Sequence, residues 1–135
     1  MEQVVGIETP EFGFLNGRDC IYIESVTQDN YDNLVFRGKI NVRLASKIRC
    51  AAFHPYELTF HRVLACFSCE LDTYENLDRC AHLDDTDFNV VENSKWLENL
   101  PVRSDFDKSV YRHFQVFTYD VVYNIIAVSY DMKKA

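Results

Sequence analysis

The chain has 135 residues, a formal net charge of −7, and 47% hydrophobic and 14% aromatic residues. This length fits a single domain spanning 1–135, and the apolar content is enough to build a core, which excludes global disorder. No apolar run reaches the roughly 18 residues of a membrane-spanning helix, and the N-terminus lacks the pattern of a secretory signal. We therefore expect a cytoplasmic protein with no membrane partner. We also expect no nucleic-acid partner, because phosphate contacts need a basic footprint.

The first predicted elements form a hairpin after an irregular N-terminal arm, residues 1–18. Apolar and β-branched residues predict a strand at 20–26, and the stretch 27–33 is dense in turn formers. Apolar and polar residues then alternate over 34–43, which is the period of a half-buried strand. Gly38 interrupts the apolar face of this strand, so we expect a bulge or a close backbone contact there.

The longest apolar tract lies at residues 56–71, after a short predicted strand at 48–54 that Pro55 ends. Its length alone allows either a buried helix or two strands. The β-branched and aromatic residues favour two strands with a bend near His61 and Arg62.

The C-terminal half is predicted to contain a long acidic loop, a short helix and a final strand pair. The acidic segment 70–93 has few paired apolar positions, whereas 94–100 has an apolar side and Pro101 after it. Residues 112–119 and 121–131 read as two antiparallel strands, followed by a frayed tail.

These elements amount to about six or seven strands and one short helix near residues 94–100. Consecutive strands are close in sequence, so they favour an antiparallel arrangement. The predicted fold class is therefore α+β, predominantly antiparallel β, as a sandwich or an open barrel-like sheet.

The sequence contains no motif from which we predict a catalytic residue, a metal or a cofactor. The four glycines are scattered, so no phosphate-binding loop is present, and none of the four histidines lies in a nucleophile motif. Four residues have the types and spacing of a zinc site: Cys66, Cys69, Cys80 and His82. However, residues three apart on a strand point to opposite faces, so we expect Cys66 and Cys69 to be reduced thiols in a core.

Negative charge is concentrated in residues 70–92, which hold eight carboxylates and one base, and this segment alone accounts for the net charge of −7. Such a run is either a solvated loop or a surface that attracts a basic protein. In the second case, carboxylates would steer the partner and an indole would anchor it. The predicted partner-binding residues are Glu75, Asp84, Asp85, Asp87, Glu92 and Trp96. The basic face of Arg37, Lys39 and Arg43 leaves a homo-oligomer as an alternative.

Three segments carry a resemblance to a known kind of protein: VVENSKWLENL at 90–100, HFQVFTYDVVYNIIAVSYD at 113–131, and YELTFHRVLACFSCELDTY at 56–74. They resemble small single-domain bacterial proteins of unassigned function, of the kind found as immunity factors in toxin systems. The resemblance covers about the last 80 residues. It implies a non-enzymatic cytoplasmic protein, mainly β, whose acidic surface would block a basic toxin.

The sequence therefore favours a non-enzymatic protein-binding module that uses an acidic surface. The alternative is a β-rich domain that binds a small ligand, and that would be enzymatic if the ligand reacts there. Its predicted pocket is lined by Phe114, Phe117, Tyr119 and Tyr123. A concave cavity with a few converging polar groups would favour this alternative.

Overall fold

The computed structural model describes residues 2–29, 32–47, 53–77 and 86–135, without the side chains of 75–77. The strands are β1 (Gln3–Gly6), β2 (Ile21–Gln28), β3 (Leu34–Asn41), β4 (Phe53–His61), β5 (Ala65–Glu70), β6 (Phe88–Glu92), β7 (Arg112–Phe117), β8 (Val121–Ala127) and β9 (Ser129–Lys134). The helices are α1 (Leu71–Leu77) and α2 (Lys95–Asn99), with 3-10 turns at Val42–Leu44 and Lys108–Val110. The predicted class, α+β and mainly antiparallel β, is confirmed.

The strands form two antiparallel sheets that pack face to face. One sheet has the order β1-β6-β7-β8-β5, and the other has the order β2-β3-β4-β9. Aromatic side chains from both sheets meet in the core, where the ring centroids of Phe60 and Phe114 are 5.3 Å apart and those of Phe60 and Phe88 are 6.1 Å apart. Of the two predicted architectures, the described strands therefore form a sandwich.

The predicted hairpin is confirmed as β2 and β3, and the prediction for Gly38 holds. A Cβ atom at Gly38 would lie 1.9 Å from the carbonyl oxygen of Tyr22. The register of the pair shifts between Ile23 and Ser25, which is a β-bulge on the edge strand opposite Gly38. Only glycine fits this close approach, and the bulge blunts the open edge of the sheet.

The apolar tract 56–71 is two strands, as predicted, with its bend at Arg62, where φ is 55°. The two strands belong to different sheets, β4 to the four-stranded sheet and β5 to the five-stranded sheet. The prediction that Pro55 ends a strand is wrong, because Pro55 lies inside β4 opposite Lys39. The Pro55 carbonyl accepts a hydrogen bond from Ala135 N, beyond the last pair of the β4–β9 ladder. Proline has no backbone N–H to donate, and Pro55 lies beyond the β4–β9 ladder on this side of the strand, so no ladder hydrogen bond is lost there.

Two regions predicted to be irregular are regular in the structure. The N-terminal arm contains β1, which pairs along its whole length with β6, a strand within the predicted acidic loop. The same loop contains α1, which starts where the Glu70 carboxylate accepts hydrogen bonds from the backbone N–H groups of Asp72 (2.8 Å) and Thr73 (3.0 Å). Backbone pairing stabilises β1 and β6, and the capping carboxylate of Glu70 stabilises the start of α1, although the apolar pattern of these segments is weak.

The last predicted strand, 121–131, is split in two. It breaks at Val128, whose N–H donates to the carbonyl of His61 at 3.0 Å, and the chain then crosses to the other sheet as β9. The predicted frayed tail is therefore wrong, because Met132 is buried and β9 pairs with β4 up to Lys134.

The predicted helix near 94–100 is confirmed as α2. The Ser94 side chain accepts a hydrogen bond from Leu97 N at 3.1 Å, which satisfies one of the open donors of the first turn. Pro101 follows the helix and prevents its continuation. In the described ranges, neither α-helix has the length and apolar character needed to cross a bilayer.

Candidate functional site

The two faces of the five-stranded sheet differ in chemistry. Its inner face, toward the other sheet, carries Phe88, Phe114, Val116 and Ile125 in the core. Its outer face carries four buried polar residues: Asn89, His113, Gln115 and Asn124. The strand register places Asn89, Gln115 and Asn124 side by side in one row across β6, β7 and β8. Such a row of buried amides needs hydrogen-bond partners, which a purely apolar packing surface would not supply.

A cleft of about 380 Å³ opens over this outer face. We call it the outer cleft. Its lining comprises Glu2, Val4, Phe67, Tyr74, Val91, Trp96, His113, Gln115 and Asn124. The strands supply the floor, α1 supplies Tyr74, and α2 supplies Trp96. This volume lies within the range of small-molecule sites, and the mixture of aromatic walls with a few polar groups is typical of them.

His113 lies at the centre of a hydrogen-bond chain in this floor. Its Nδ1 is 2.7 Å from Ser94 Oγ, and its Nε2 is 2.8 Å from Asn124 Oδ1. Because an amide oxygen only accepts, Nε2 carries the proton, and the Ser94 hydroxyl then donates to Nδ1. The Trp96 ring packs edge-on against the imidazole, with centroids 5.2 Å apart. The network assigns a neutral imidazole that holds both Ser94 and Asn124 in place.

The environment of His113 keeps this imidazole uncharged. Burial lowers the pKa of His113, and the hydrogen bond with Asn124 and the charge of Glu2 oppose that effect only in part. Both ring nitrogens are already hydrogen-bonded. His113 therefore acts as a positioning residue for the floor of the cleft.

Gln115 is the least satisfied residue in the outer cleft. Its Nε2 donates to Tyr74 Oη at 3.1 Å, which ties β7 to α1. Its Oε1 is buried and has no hydrogen-bond partner within the described part of the chain. A buried unsatisfied acceptor costs about 1–3 kcal/mol, so its presence calls for an explanation.

Two further contacts hold the walls of the cleft. Glu2 accepts a hydrogen bond from Lys95 N at 2.8 Å, which fastens the start of α2 to the N-terminal residues. Tyr74 packs edge-on against Phe117, with ring centroids 6.0 Å apart. Polar and aromatic contacts thus attach both helices to neighbouring parts of the domain.

The residues predicted to form an acidic surface are only partly within the described ranges. Asp84, Asp85 and the side chain of Glu75 lie outside them. Asp87 is buried at 5% exposure, because its backbone bridges Leu15 and Phe117 through hydrogen bonds of 2.7 Å each. Glu92 is exposed at the end of β6, and Trp96 lies in the wall of the outer cleft.

Two described carboxylates of this segment, Glu70 and Glu92, do not share one surface. Glu70 lies opposite Val121, at the end of the sheet where β7 finishes. Glu92 lies opposite Gln3, at the other end of the same sheet. The contribution of Asp84 and Asp85 stays a prediction.

The four aromatic residues predicted to line a pocket lie in different places. Phe114 is fully buried in the core, whereas Phe117 is on the outer face beside Tyr74. Tyr119 and Tyr123 line a separate pocket of about 220 Å³. This scatter follows from strand alternation, because Phe114 and Phe117 are three residues apart and so face opposite ways.

The cysteine pair follows strand alternation, but the expectation of core thiols is wrong. Cys66 lies opposite Ile125 and Cys69 lies opposite Val122, so their thiols point to opposite faces of the sheet. Cys66 is exposed and Cys69 is half-buried, because β5 is an edge strand of the sheet. Cys80 and His82 are outside the described ranges. No three potential ligands in the described residues are grouped closely enough to hold a metal ion.

The important residues of the outer cleft, Gln115 and Asn124, were not predicted from the sequence. A signal for them exists, because each is a polar residue within an apolar strand. Recognising it requires the β7–β8 register, which places the two residues opposite each other. No protein-family model, curated protein or solved structure matches this chain.

Proposed function

We propose that this domain binds a small ligand in the outer cleft. The observation that carries the proposal is Gln115 Oε1, a buried acceptor in the floor of the cleft with no partner among the described residues. A ligand that donates a hydrogen bond there would remove the cost of burying this oxygen. The hydrogen bond that folding leaves unmade would then contribute to the free energy of ligand binding.

The way the site is held supports this proposal. His113 is fixed by hydrogen bonds on both nitrogens, and Gln115 is fixed by Tyr74. These residues are mounted on strands, which position side chains more precisely than loops do. A preorganised polar floor reduces the conformational entropy that is lost on binding.

The same contacts favour binding over catalysis. Ser94 Oγ accepts the N–H of Leu97 and lies 2.7 Å from His113 Nδ1, so it caps α2 and orients the imidazole. The proposed function therefore assigns the residues of the outer cleft to recognition.

The test uses a variant that fills the cleft. Val4 lines the outer cleft, so Val4→Phe should obstruct it, whereas Val5 is the next residue of β1, is 38% exposed and is not part of the lining. Val5→Phe is therefore the matched control. A fragment library is screened against the three proteins by thermal melting and by fluorescence of Trp96, the chain's single tryptophan.

We expect fragments that raise the melting temperature of the wild type and of Val5→Phe, change Trp96 fluorescence, and lose both effects in Val4→Phe. Fragments that bind all three proteins equally would place the binding site elsewhere. A library without any hit that alters Trp96 fluorescence would contradict the proposal.

A protein-binding module with an acidic surface, such as an immunity-type protein for a basic toxin, is a second candidate function. It is favoured by the concentration of the net charge in residues 70–92. The test replaces Asp84 and Asp85 with asparagine and retains Asp87, which is buried. The double change Glu8→Gln with Glu24→Gln removes the same charge elsewhere and serves as the control.

Association kinetics with a basic protein captured from native lysate provide the measurement. We expect slower association and a flatter salt dependence for the variant at 84 and 85 only, because steering depends on local potential. Equal effects of the two double variants would assign the result to net charge and would contradict a specific acidic surface.

A further inference from the structure

The chemistry of the outer cleft narrows the class of ligand, and this step rests on the proposed function. We infer that the cleft takes a neutral, planar group that presents an N–H donor beside a hydrogen-bond acceptor, as in an amide or a lactam. Three properties of the lining support this inference: its charge, its donor and acceptor pattern, and its aromatic walls.

The lining favours an uncharged ligand. Its described residues include no lysine or arginine, and its histidine is neutral because Nδ1 accepts from Ser94 and Nε2 donates to Asn124. An anionic ligand would lose its hydration without gaining a cation. Glu2 is the only carboxylate among the described residues of the lining, and it accepts the N–H of Lys95. The floor itself offers only uncharged amide and imidazole groups.

The floor offers an acceptor and a donor on neighbouring strands. Gln115 and Asn124 are directly opposite each other in the β7–β8 pair. Gln115 Oε1 has no partner among the described residues, and it requires a donor from the ligand. Asn124 Oδ1 is occupied by His113 Nε2, whereas Asn124 Nδ2 donates to no residue in the described ranges. Side chains at opposed positions are about 5 Å apart at Cβ, a spacing that one amide group can bridge.

An amide ligand suits either orientation of the Gln115 carboxamide. One of its polar atoms contacts Tyr74 Oη at 3.1 Å, and the other is left for a ligand. A group that carries both an N–H and a C=O can satisfy either orientation, which a simple ketone or ether cannot do. This property favours an amide over a ligand with an acceptor alone.

The walls favour a flat ligand group. Trp96 on one side and Tyr74 on the other supply aromatic side chains, and Phe67, which is 44% exposed, extends the apolar surface along β5. Aromatic surfaces bind planar groups by stacking or edge-on contact. An exposed phenylalanine beside a polar floor is also consistent with a surface that a ligand covers.

The experiment follows the indole N–H resonance of Trp96 during titration with matched probes. Three probes carry the N–H and differ in source: benzamide for a carboxamide, 2-pyridone for a lactam, and N-acetylphenylalanine N-methylamide for a peptide. N,N-dimethylbenzamide and N-methyl-2-pyridone lack the N–H, and benzoate replaces the amide with an anion. The same titrations are run on Gln115→Leu, whose folding is checked by thermal melting.

We expect at least one N–H probe to bind about 10-fold more tightly than its methylated counterpart and more tightly than benzoate, because one hydrogen bond to a buried acceptor is at stake. The strongest of the three then identifies the source of the amide. In Gln115→Leu the preference for the N–H should fall to near one. The wild-type series decides the inference even if this variant does not fold.

Equal binding of methylated and unmethylated probes, or tightest binding of benzoate, would overturn the ligand class while leaving the proposed function in place. The same conclusion follows if library fragments bind the cleft but no amide probe does. If neither amides nor any library fragment shift the Trp96 resonance, the ligand class and the proposed function both fail.

Discussion

The outer faces of the two sheets behave in opposite ways. On the four-stranded sheet, Arg37 and Lys133 flank Glu57, with N–O distances of 3.0 and 3.5 Å, and the charges are solvated. On the five-stranded sheet, the outer face is covered by two short helices and carries the buried polar residues His113 and Gln115. The first is an ordinary water-facing surface, whereas the second is built to hold uncharged polar groups away from water.

This difference shows where polar residues require an explanation beyond solubility. A charged pair in water contributes little to stability, and charged residues are expected at an exposed surface. A buried amide with an unsatisfied oxygen lowers stability unless something else satisfies it. The outer cleft is therefore the region of the described structure where function best accounts for the residues present.

The largest predicted effect separates the inner and outer faces of β7. Phe114→Ala should lower the free energy of unfolding by about 3–5 kcal/mol, because it opens a cavity in the aromatic core. Gln115→Leu, one residue away, should change it by about 1 kcal/mol or less, because losing the hydrogen bond from Nε2 to Tyr74 is offset by removing a buried oxygen that has no partner. Urea unfolding of both variants provides the comparison. A loss of several kcal/mol in Gln115→Leu would show that the outer face is a structural core as well.

A smaller effect is expected from the hydrogen-bond chain in the cleft floor. His113→Phe should cost about 1–3 kcal/mol near neutral pH, because it leaves buried groups of Ser94 and Asn124 without their partner. Melting temperatures of this variant and of the wild type provide the measurement. A variant as stable as the wild type would mean that the chain is not important for holding the floor.

The same residue predicts how stability depends on pH. Burial lowers the pKa of His113 in the folded protein, so the unfolded chain binds the proton more readily. This contribution to stability is fully present above the unfolded value of about 6.5 and decreases as the pH falls below it. Unfolding measured from neutral pH downward should show this loss in the wild type and a weaker loss in His113→Phe. Identical slopes for the two proteins would contradict the assignment.

The smallest effect is expected on the solvated face. Glu57→Gln should change stability by about 0.2–1 kcal/mol, and the change should shrink at high salt, because exposed pairs are screened. Melting at low and high ionic strength tests this. A large, salt-independent loss would remove the contrast between the two outer faces.

The fold could be predicted where one face of a strand is solvated. The alternation in 34–43 indicated β3 because Arg37 and Lys39 face water while Phe36 and Ile40 face the core. The turn-rich stretch before it correctly indicated a hairpin. The local alternation of apolar and polar residues is sufficient to predict a strand when one face is buried and the other is solvated.

The site could not be predicted in this way, because β7 and β8 are buried on both faces. Gln115 and Asn124 stand in runs that read as apolar, and their alignment exists only once the register is known. The helix α1 was missed for a related reason, since its start depends on hydrogen bonds to Glu70 rather than on an apolar period. Side-chain partners from other elements are not visible in a single linear pattern.

The most direct test of the outer cleft is to map the binding of benzamide with isotope-labelled protein, following the side-chain amides of Gln115 and Asn124 together with the Trp96 indole. We predict that these three signals shift together and saturate at one common concentration, and that Val4→Phe abolishes the response. Shifts confined to the aromatic pair Tyr22 and Phe53 on the other sheet, or signals from the cleft that never move, would contradict the claim that the buried amide row binds a ligand.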